Sequence, residues 1–442
     1  MPVFNQPLLT RLLGSIEAGN LVVLCGAGLS IPGPSNLMSA VGVSRACYDK
    51  WVATEPLPQN MRENIDALAA HFYTAGTLQS VFIQTLVPWD GLVGEPNAGH
   101  AAVADFLICR AAHAALSSNF DPLIEQWSNT RKIAMRGALT GVEAVQFNAN
   151  TSPLVKFHGC LNRGRADTLW TQGQLNEAAV QLRVGSCSQW INLHLPGKDL
   201  LIVGFWTDWG YLNDVLANAF AVQNAASVTV VDISTTAELQ TKAPTLWQKL
   251  MNAGGPFEHV EASATDALAE LRTEFSKVWA RKFFQLAEPF VQVAGGIYDP
   301  MALSPALWTC EELYDLRRDA EGMPYDHAAR GREPPAEAAT AAYMHWLLTA
   351  AGATRDRGMY VKDGQRVRVV HGAGKALESV RQTYNEPPAL ANPDIVVCVG
   401  AQVIGTPGSV IASGTGASIV RPAPGGGARW LTFEEGRAEL NV

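Results

Sequence analysis

Apolar residues Leu8, Leu9, Leu12, Leu13 and Ile16 recur at the spacing of a helix face, and Gly19-Asn20 supplies a stop. The pattern then changes at once. Leu21-Val22-Val23-Leu24 is an unbroken apolar run that ends in Cys25-Gly26-Ala27-Gly28, which predicts a strand buried on both faces. Similar short runs follow at Ala114–Ser118, Ala144–Phe147, Leu154–Phe157, Asp199–Val203 and Val228–Val231. Helical patterns lie between them. Several occupy the stretch from Ser35 to about Val87, one runs over Ala101–Cys109 behind Asn97 and Gly99, and one opens at Pro122, where proline suits a first turn. Short buried strands alternating with helices predict an α/β fold, a Rossmann-like parallel sheet with helices on both faces. The stretch before Val87 is then a capping insertion.

The pattern breaks around Phe283–Gly296. Arg317–Glu337, charged and interrupted by Gly322, Pro324, Gly331, Pro334 and Pro335, reads as a loop or linker. Ala336–Ala351 predicts an amphipathic helix. Met359–Val361 and Arg366–Val370 flank Lys362-Asp363-Gly364-Gln365, a hairpin signal. Ile395–Val399 and Ser409–Ser413 read as further strands and Pro422–Gly427 as a loop. A smaller C-terminal α+β or α/β domain is expected, and 442 residues exceed what one core usually fills. The boundaries read as 1–285 and 286–442.

Composition narrows the picture in a few respects. Net charge is −8 with no long basic run, so no direct nucleic-acid binding is expected. The N-terminus carries no signal-peptide pattern, and no apolar stretch reaches the roughly 18 residues of a membrane span, which together predict a cytoplasmic protein without membrane attachment. Cys25, Cys47, Cys109, Cys160, Cys187, Cys310 and Cys398 are scattered and odd in number, with no Cys-x-x-Cys pair. Neither a disulfide framework nor structural zinc is expected.

In open parallel sheets, ligands sit beyond the carboxyl ends of the strands. Gly26, Gly28, Asn119, His158, Gly204 and Asp232 all fall at such ends. The Gly26-Ala27-Gly28 turn suits a phosphate, since glycine permits a sharp turn with open N–H groups, although Ile31 stands where a dinucleotide fingerprint has its third glycine. Asn119-Phe120-Asp121 suits either a helix cap or a site. Asp208 suits a helix cap or an adenosine contact, His100 reads as a helix-start residue, and Trp206 and Trp209 as core or as cover for an adenosine pocket. His371-Gly372-Ala373-Gly374 follows a strand and reads as a structural turn, with a second nucleotide-binding turn as the alternative.

The ordered set of Gly26-Ala27-Gly28-Leu29-Ser30, Pro96-Asn97 with His100, Asn119-Phe120-Asp121, Lys156-Phe157-His158-Gly159, Gly204 and Asp232 resembles the Sir2 (sirtuin) family, which binds NAD+. The likeness spans roughly the first 285 residues and is nearer to the Sir2-like NADase domains of bacterial antiphage defence. The chain departs from protein-deacylating sirtuins in lacking the paired cysteines of their zinc module. It also lacks an Asp-Phe-Arg element after the turn, where Ile31-Pro32-Gly33-Pro34-Ser35-Asn36 stands. The resemblance implies cleavage of NAD+ as substrate to nicotinamide and ADP-ribose. Asn119, His158 and Asp121 would be the catalytic residues, and Gly26, Ala27, Gly28, Ser30, Gly204, Asp208 and Asp232 would bind the dinucleotide. It further implies a homo-oligomer or a partner from a defence operon, such as a HerA-type ATPase or a short Argonaute, with residues 286–442 serving assembly or docking. A protein deacylase, an ADP-ribosyltransferase and a non-catalytic NAD+ or ADP-ribose sensor are the alternatives.

Overall fold

The computed structural model describes residues 2–207, 225–322, 329–383, 392–402 and 428–442. The chain forms two compact units, Met1–Asn129 with Ala134–Arg272, and Thr130–Ile133 with Thr273–Val442.

The first unit is a parallel sheet of six strands, β1 (Leu21–Cys25), β2 (Ala112–Ser117), β3 (Leu154–Lys156), β4 (Asp199–Val203), β5 (Ser227–Asp232) and β6 (Phe257–Glu261). Their order is β3-β2-β1-β4-β5-β6 and every neighbouring pair is parallel. This is the doubly wound order of dinucleotide-binding sheets, and it puts the switch point between β1 and β4. The sequence explains the centre well. All five residues of β1 are fully buried, and each large aliphatic side chain so placed contributes about 1.5–3 kcal/mol relative to exposure. The preceding helix, Gln6–Ala18, is capped by Asn5 Oδ1 accepting from Leu8 N–H at 2.9 Å and ends on left-handed Gly19 (φ 66°). The crossover from β1 to β2 carries the insertion, with helices at Ala40–Trp51, Ile65–Thr74, Leu78–Leu86 and Ala98–Ile108. Its core of Phe72, Phe82 and Trp89 is completed by Trp170, from the segment after β3.

One expected strand of this unit is corrected, and one strand is present that the sequence pattern does not predict. Ala144–Phe147 is not a strand: Gly141–Gln146 is a helix, with Thr140 Oγ1 accepting from Glu143 N–H at 3.1 Å. Gly141 sets its packing, since a Cβ there would stand 2.5 Å from Ser186 O and 2.8 Å from Trp190 Cβ. The edge strand β6 lacks an apolar run, because its residues are only half-buried or exposed, and its polar sequence hides it.

The second unit is a five-stranded mixed sheet of β7 (Thr354–Asp356), β8 (Met359–Lys362), β9 (Gln365–His371), β10 (Ile395–Val399) and β11 (Arg429–Thr432), in the order β11-β10-β9-β8-β7. β7, β8 and β9 pair antiparallel, while β9, β10 and β11 run parallel. The expected hairpin is present, and Asp363 and Gly364 both take positive φ (51° and 78°), as a two-residue hairpin turn requires. The expected helix spans Ala339–Ala350. The expected linker from Arg317 is corrected at its start. Cys310–Ala320 is a helix whose Arg317, Arg318 and Asp319 are buried. Asp319 accepts from Arg318 Nη2 at 2.7 Å and Arg368 Nε at 2.8 Å, so these charges are core components, not solvated loop. The expected strand at Ser409–Ser413 and loop at Pro422–Gly427 lie outside the described residues. No helix among the described residues is long and apolar enough to cross a membrane.

Candidate active site

The turn after β1 is locked to the turn after β4. Gly26 N–H donates to Val203 O at 3.1 Å and Gly28 N–H to Gly204 O at 2.9 Å. Gly204 takes φ 58°, and a Cβ on it would lie 2.7 Å from the Gly28 carbonyl carbon. A Cβ on Gly28 would lie 2.7 Å from Gly204 Cα, and one on Gly26 would lie 2.5 Å from Gly204 O. The three glycines therefore allow two backbones to touch at the switch point. The Gly26 and Gly28 amides are not the open phosphate donors that the sequence suggests. Ala27, at the tip, is exposed, and no side chain caps the short helical turn that it starts.

Ser30 sits behind this turn and is the hub of the site. Its hydroxyl donates to Asp121 Oδ2 at 2.9 Å and accepts from Asn119 Nδ2 at 3.1 Å. His100 Nε2 lies 3.1 Å from the same oxygen. The opposite ring atom, His100 Nδ1, accepts from Asn97 N–H at 3.2 Å, so the proton of the neutral ring is on Nε2, which donates to Ser30. A hydroxyl has one donor and two acceptor positions, and all three are used. Burial pushes the His100 pKa down to about 4, against the pull of Asp121 and with a push from Lys156 in the same direction as burial, so the ring is neutral near pH 7. His100, read from the sequence as a helix-start residue, thus does two things. It completes a capping box with Asn97 and it orients Ser30.

Asn119 is half-buried at the end of β2. Both its amide hydrogens are engaged, one by Gly26 O at 3.0 Å and one by Ser30 Oγ at 3.1 Å. Gly26 O can only accept, which fixes the amide's orientation. No described residue donates to Asn119 Oδ1, so the carbonyl is the end left for a ligand or water. Asp121 is buried. Its Oδ1 accepts from Leu123 N–H at 3.2 Å, at the first residue of the helix Leu123–Thr130.

Beneath Asp121 lies a buried ion cluster that local sequence pattern does not single out. Lys156 Nζ, on β3, donates to the Asp121 main-chain carbonyl, lies 3.2 Å from Glu125 Oε1 and 3.3 Å from Cys160 Sγ. Burial alone would favour the neutral amine, but Glu125, with Cys160 and Asp121, outweighs it and raises the Lys156 pKa. Gly137 makes room, since a Cβ there would stand 2.4 Å from Lys156 Cδ. Glu125 and Lys156 are far apart in sequence, and only the register of β2 with β3 (Ser117 opposite Lys156) brings them together.

His158 follows β3, is buried, and has a hydrogen bond with the Ser118 backbone, one residue from Asn119. Its ring lies 6.4 Å from that of Phe120, centroid to centroid. Burial, reinforced by Arg183 and opposed by the Ser118 contact, pushes its pKa down to about 3. The ring is a neutral hydrogen-bonding group, which departs from the expectation of a base poised near the working pH. Asp232 ends β5, where Gly204 N–H reaches Val231 O at 3.0 Å, and its Oδ1 accepts from Ser234 N–H at 2.9 Å. It stands apart from the Ser30 network. Trp206 is a core residue, with its Nε1 on Leu239 O at 2.7 Å. Asp208 and Trp209 lie outside the described residues. Among the described residues no group of His, Cys, Asp and Glu is placed to hold a metal ion.

No family model and no curated protein matches the chain. Solved structures similar to it include a Sir2 enzyme at 12% identity, over 59% of this chain and 95% of that one, with a TM-score of 0.31. They also include a sirtuin studied for substrate affinity at 11% identity, over 61% and 98%, TM-score 0.32. A Sir2 mutant with a peptide and NAD is similar at 11% identity, over 60% and 98%, TM-score 0.32. Likeness at this level carries no functional weight, and any assignment of activity rests on the residues of the site.

Proposed function

We propose that the first unit cleaves NAD+ to nicotinamide and ADP-ribose with water as the acceptor, as an effector that depletes NAD+ in antiphage defence. The observation that supports this most is the Asn119 amide. Both its hydrogens are anchored and its Oδ1 is left over at the switch point of a 3-2-1-4-5-6 sheet, where dinucleotides bind. Breaking the nicotinamide–ribose bond builds positive charge on the sugar, as in an oxocarbenium-like transition state. A fixed carbonyl dipole beside that carbon stabilises the charge and orients a water lone pair toward it. The diphosphate would lie against the Gly26–Gly28–Gly204 contact, where Ala27 is exposed at the tip. Asp121, held by Ser30 and Leu123 N–H, serves the nicotinamide carboxamide. His158 serves a ribose hydroxyl as a neutral partner, and Asp232 serves the adenosine ribose. The second unit serves assembly or partner docking.

The test is to incubate purified protein, alone and with any co-purifying partner, with NAD+ and to resolve nicotinamide and ADP-ribose by chromatography. Asn119→Ala is expected to lower turnover by about a hundredfold or more at an unchanged thermal midpoint. A folded Asn119→Ala protein with wild-type turnover would overturn the assignment.

A further inference from the structure

A concave site lies between the insertion and the segment that follows β3. It is a cavity of about 410 Å³ between the end of the helix Ala40–Trp51 and the segment after Leu86, within the size range of small-molecule sites. Lys50, Trp89, Asp90 and Arg165 line it. Trp89 is buried and fixed, with its Nε1 donating to Ile83 O at 2.7 Å. The Arg165 guanidinium lies over the Trp89 ring, its Cζ 5.0 Å from the centroid, a cation–π contact that sets a cation on the aromatic wall. Lys50 Nζ is tethered to the Thr85 carbonyl at 2.6 Å, which holds its charge at the mouth. Neither cation has a carboxylate within 4.0 Å among the described residues, and Asp90 is the acidic group on the wall.

The geometry points to a binding site for a nucleoside monophosphate. Two cations without ion-pair partners among the described residues suit a phosphate. The guanidinium on the aromatic wall suits a purine, since arginine stacks on planar rings. Asp90, the carboxylate on the wall, suits a ribose hydroxyl, and Gln84 beside it can donate or accept. The site is distinct from the candidate active site. Between its Trp89 wall and Phe120, the residue between Asn119 and Asp121, stands Trp170, with ring centroids 5.9 Å from Trp89 and 4.8 Å from Phe120.

The probe is AMP, titrated by calorimetry into the full chain and into the double variant Lys50→Glu/Arg165→Glu. Both side chains are exposed, so the variant keeps its fold, and Lys50→Gln/Arg165→Gln is the milder companion. The expected result is one AMP-binding step in the wild type that weakens at least about tenfold in both variants, since each tenfold is about 1.4 kcal/mol. Adenosine, without the phosphate, is expected to bind at least about tenfold more weakly than AMP. Unchanged affinity and stoichiometry in the charge-reversed protein would overturn the site. Equal binding of adenosine would overturn the ligand class. The readout is the difference between wild type and variant in binding, so it stands or falls separately from NAD+ cleavage.

Discussion

Ser30 uses its whole hydrogen-bonding capacity inside the site, and this makes it the residue whose loss is easiest to read. Ser30→Ala leaves His100 Nε2–H and one Asn119 hydrogen without their acceptor. A buried donor left unpaired costs about 1–3 kcal/mol. The protein is expected to fold with a lowered denaturation midpoint. Its NAD+ turnover should fall by more than its stability loss explains, because Asn119 is then anchored by Gly26 O alone. A misplacement on the order of 1 Å can cost about a hundredfold. Wild-type turnover in folded Ser30→Ala would remove Ser30 from the positioning chain. The buried histidines make a separate prediction. His100 and His158 have folded pKa values of about 4 and about 3, below their ordinary value. The unfolded chain therefore binds protons first, and stability falls as pH drops below about 6.5 and keeps falling toward the folded values, by about 1 kcal/mol per pH unit for each ring. Urea midpoints between pH 7.5 and 5 should show this slope, and His100→Gln should flatten it; a pH-independent midpoint would contradict the buried neutral rings. At this scale the short polar residues at strand ends, Ser30, Asn119 and Asp121, are legible in the sequence. The pairing of Lys156 with Glu125 is not, because their meeting is a property of strand register and not of local pattern.

At the scale of elements, glycines separate into those that touch backbone and those that do not. A Cβ added to either Gly28 or Gly204 would stand 2.7 Å from the other's backbone, and Gly204 also needs positive φ. Gly14, in the helix Gln6–Ala18, and Gly185, in the helix Ala178–His194, have nothing within 4 Å of an added Cβ. Gly14→Ala and Gly185→Ala are expected to stabilise the protein by about 0.5–1 kcal/mol each. Gly28→Ala is expected to destabilise it by about 1–3 kcal/mol, as inserted methyls in tight packing do, and to abolish NAD+ binding with it. Denaturant unfolding of the three variants checks the ranking, and a neutral Gly28→Ala would mean that the two turns part easily. The same distinction explains what is legible. β1, β4 and β10 are central, largely apolar strands, and their pattern places them to within a residue. The helix Gly141–Gln146 reads as a strand because Ala144-Val145-Gln146-Phe147 is too short to show a period that distinguishes strand from helix. Gly28 and Gly204 are both readable as strand-end residues, but their contact across the switch point is not.

At the scale of the whole molecule, the question is which acceptor the arrangement serves. A deacylase must seat an extended peptide and bring an acyl oxygen within about 3–3.5 Å of the ribose carbon. Hydrolysis needs only a water and one or two polar groups that orient it, and under the proposed reading Asn119 Oδ1 is that group. The seven cysteines include no Cys-x-x-Cys pair with which to staple a peptide-binding module in the manner of zinc-bearing sirtuins. Length and the change of pattern around Phe283–Gly296 predict two domains with a boundary at 285/286, whereas the compact units divide at Arg272/Thr273, inside the helix Ala264–Gln285, and the buried Arg318–Asp319–Arg368 cluster shows why the second is harder to read: its core uses charges that composition assigns to surface. Mixed with NAD+ and a pool of acetyl-lysine peptides, the full chain is expected to release ADP-ribose at the same rate with and without peptide, with no acetyl group on the sugar. A mass-spectrometric assay tracks ADP-ribose and O-acetyl-ADP-ribose together. Cleavage that appears only with peptide, with acetyl-ADP-ribose as product, would replace hydrolysis by acyl transfer. It would leave the roles of Ser30 and Asn119 standing, because both reactions pass through the same charged sugar.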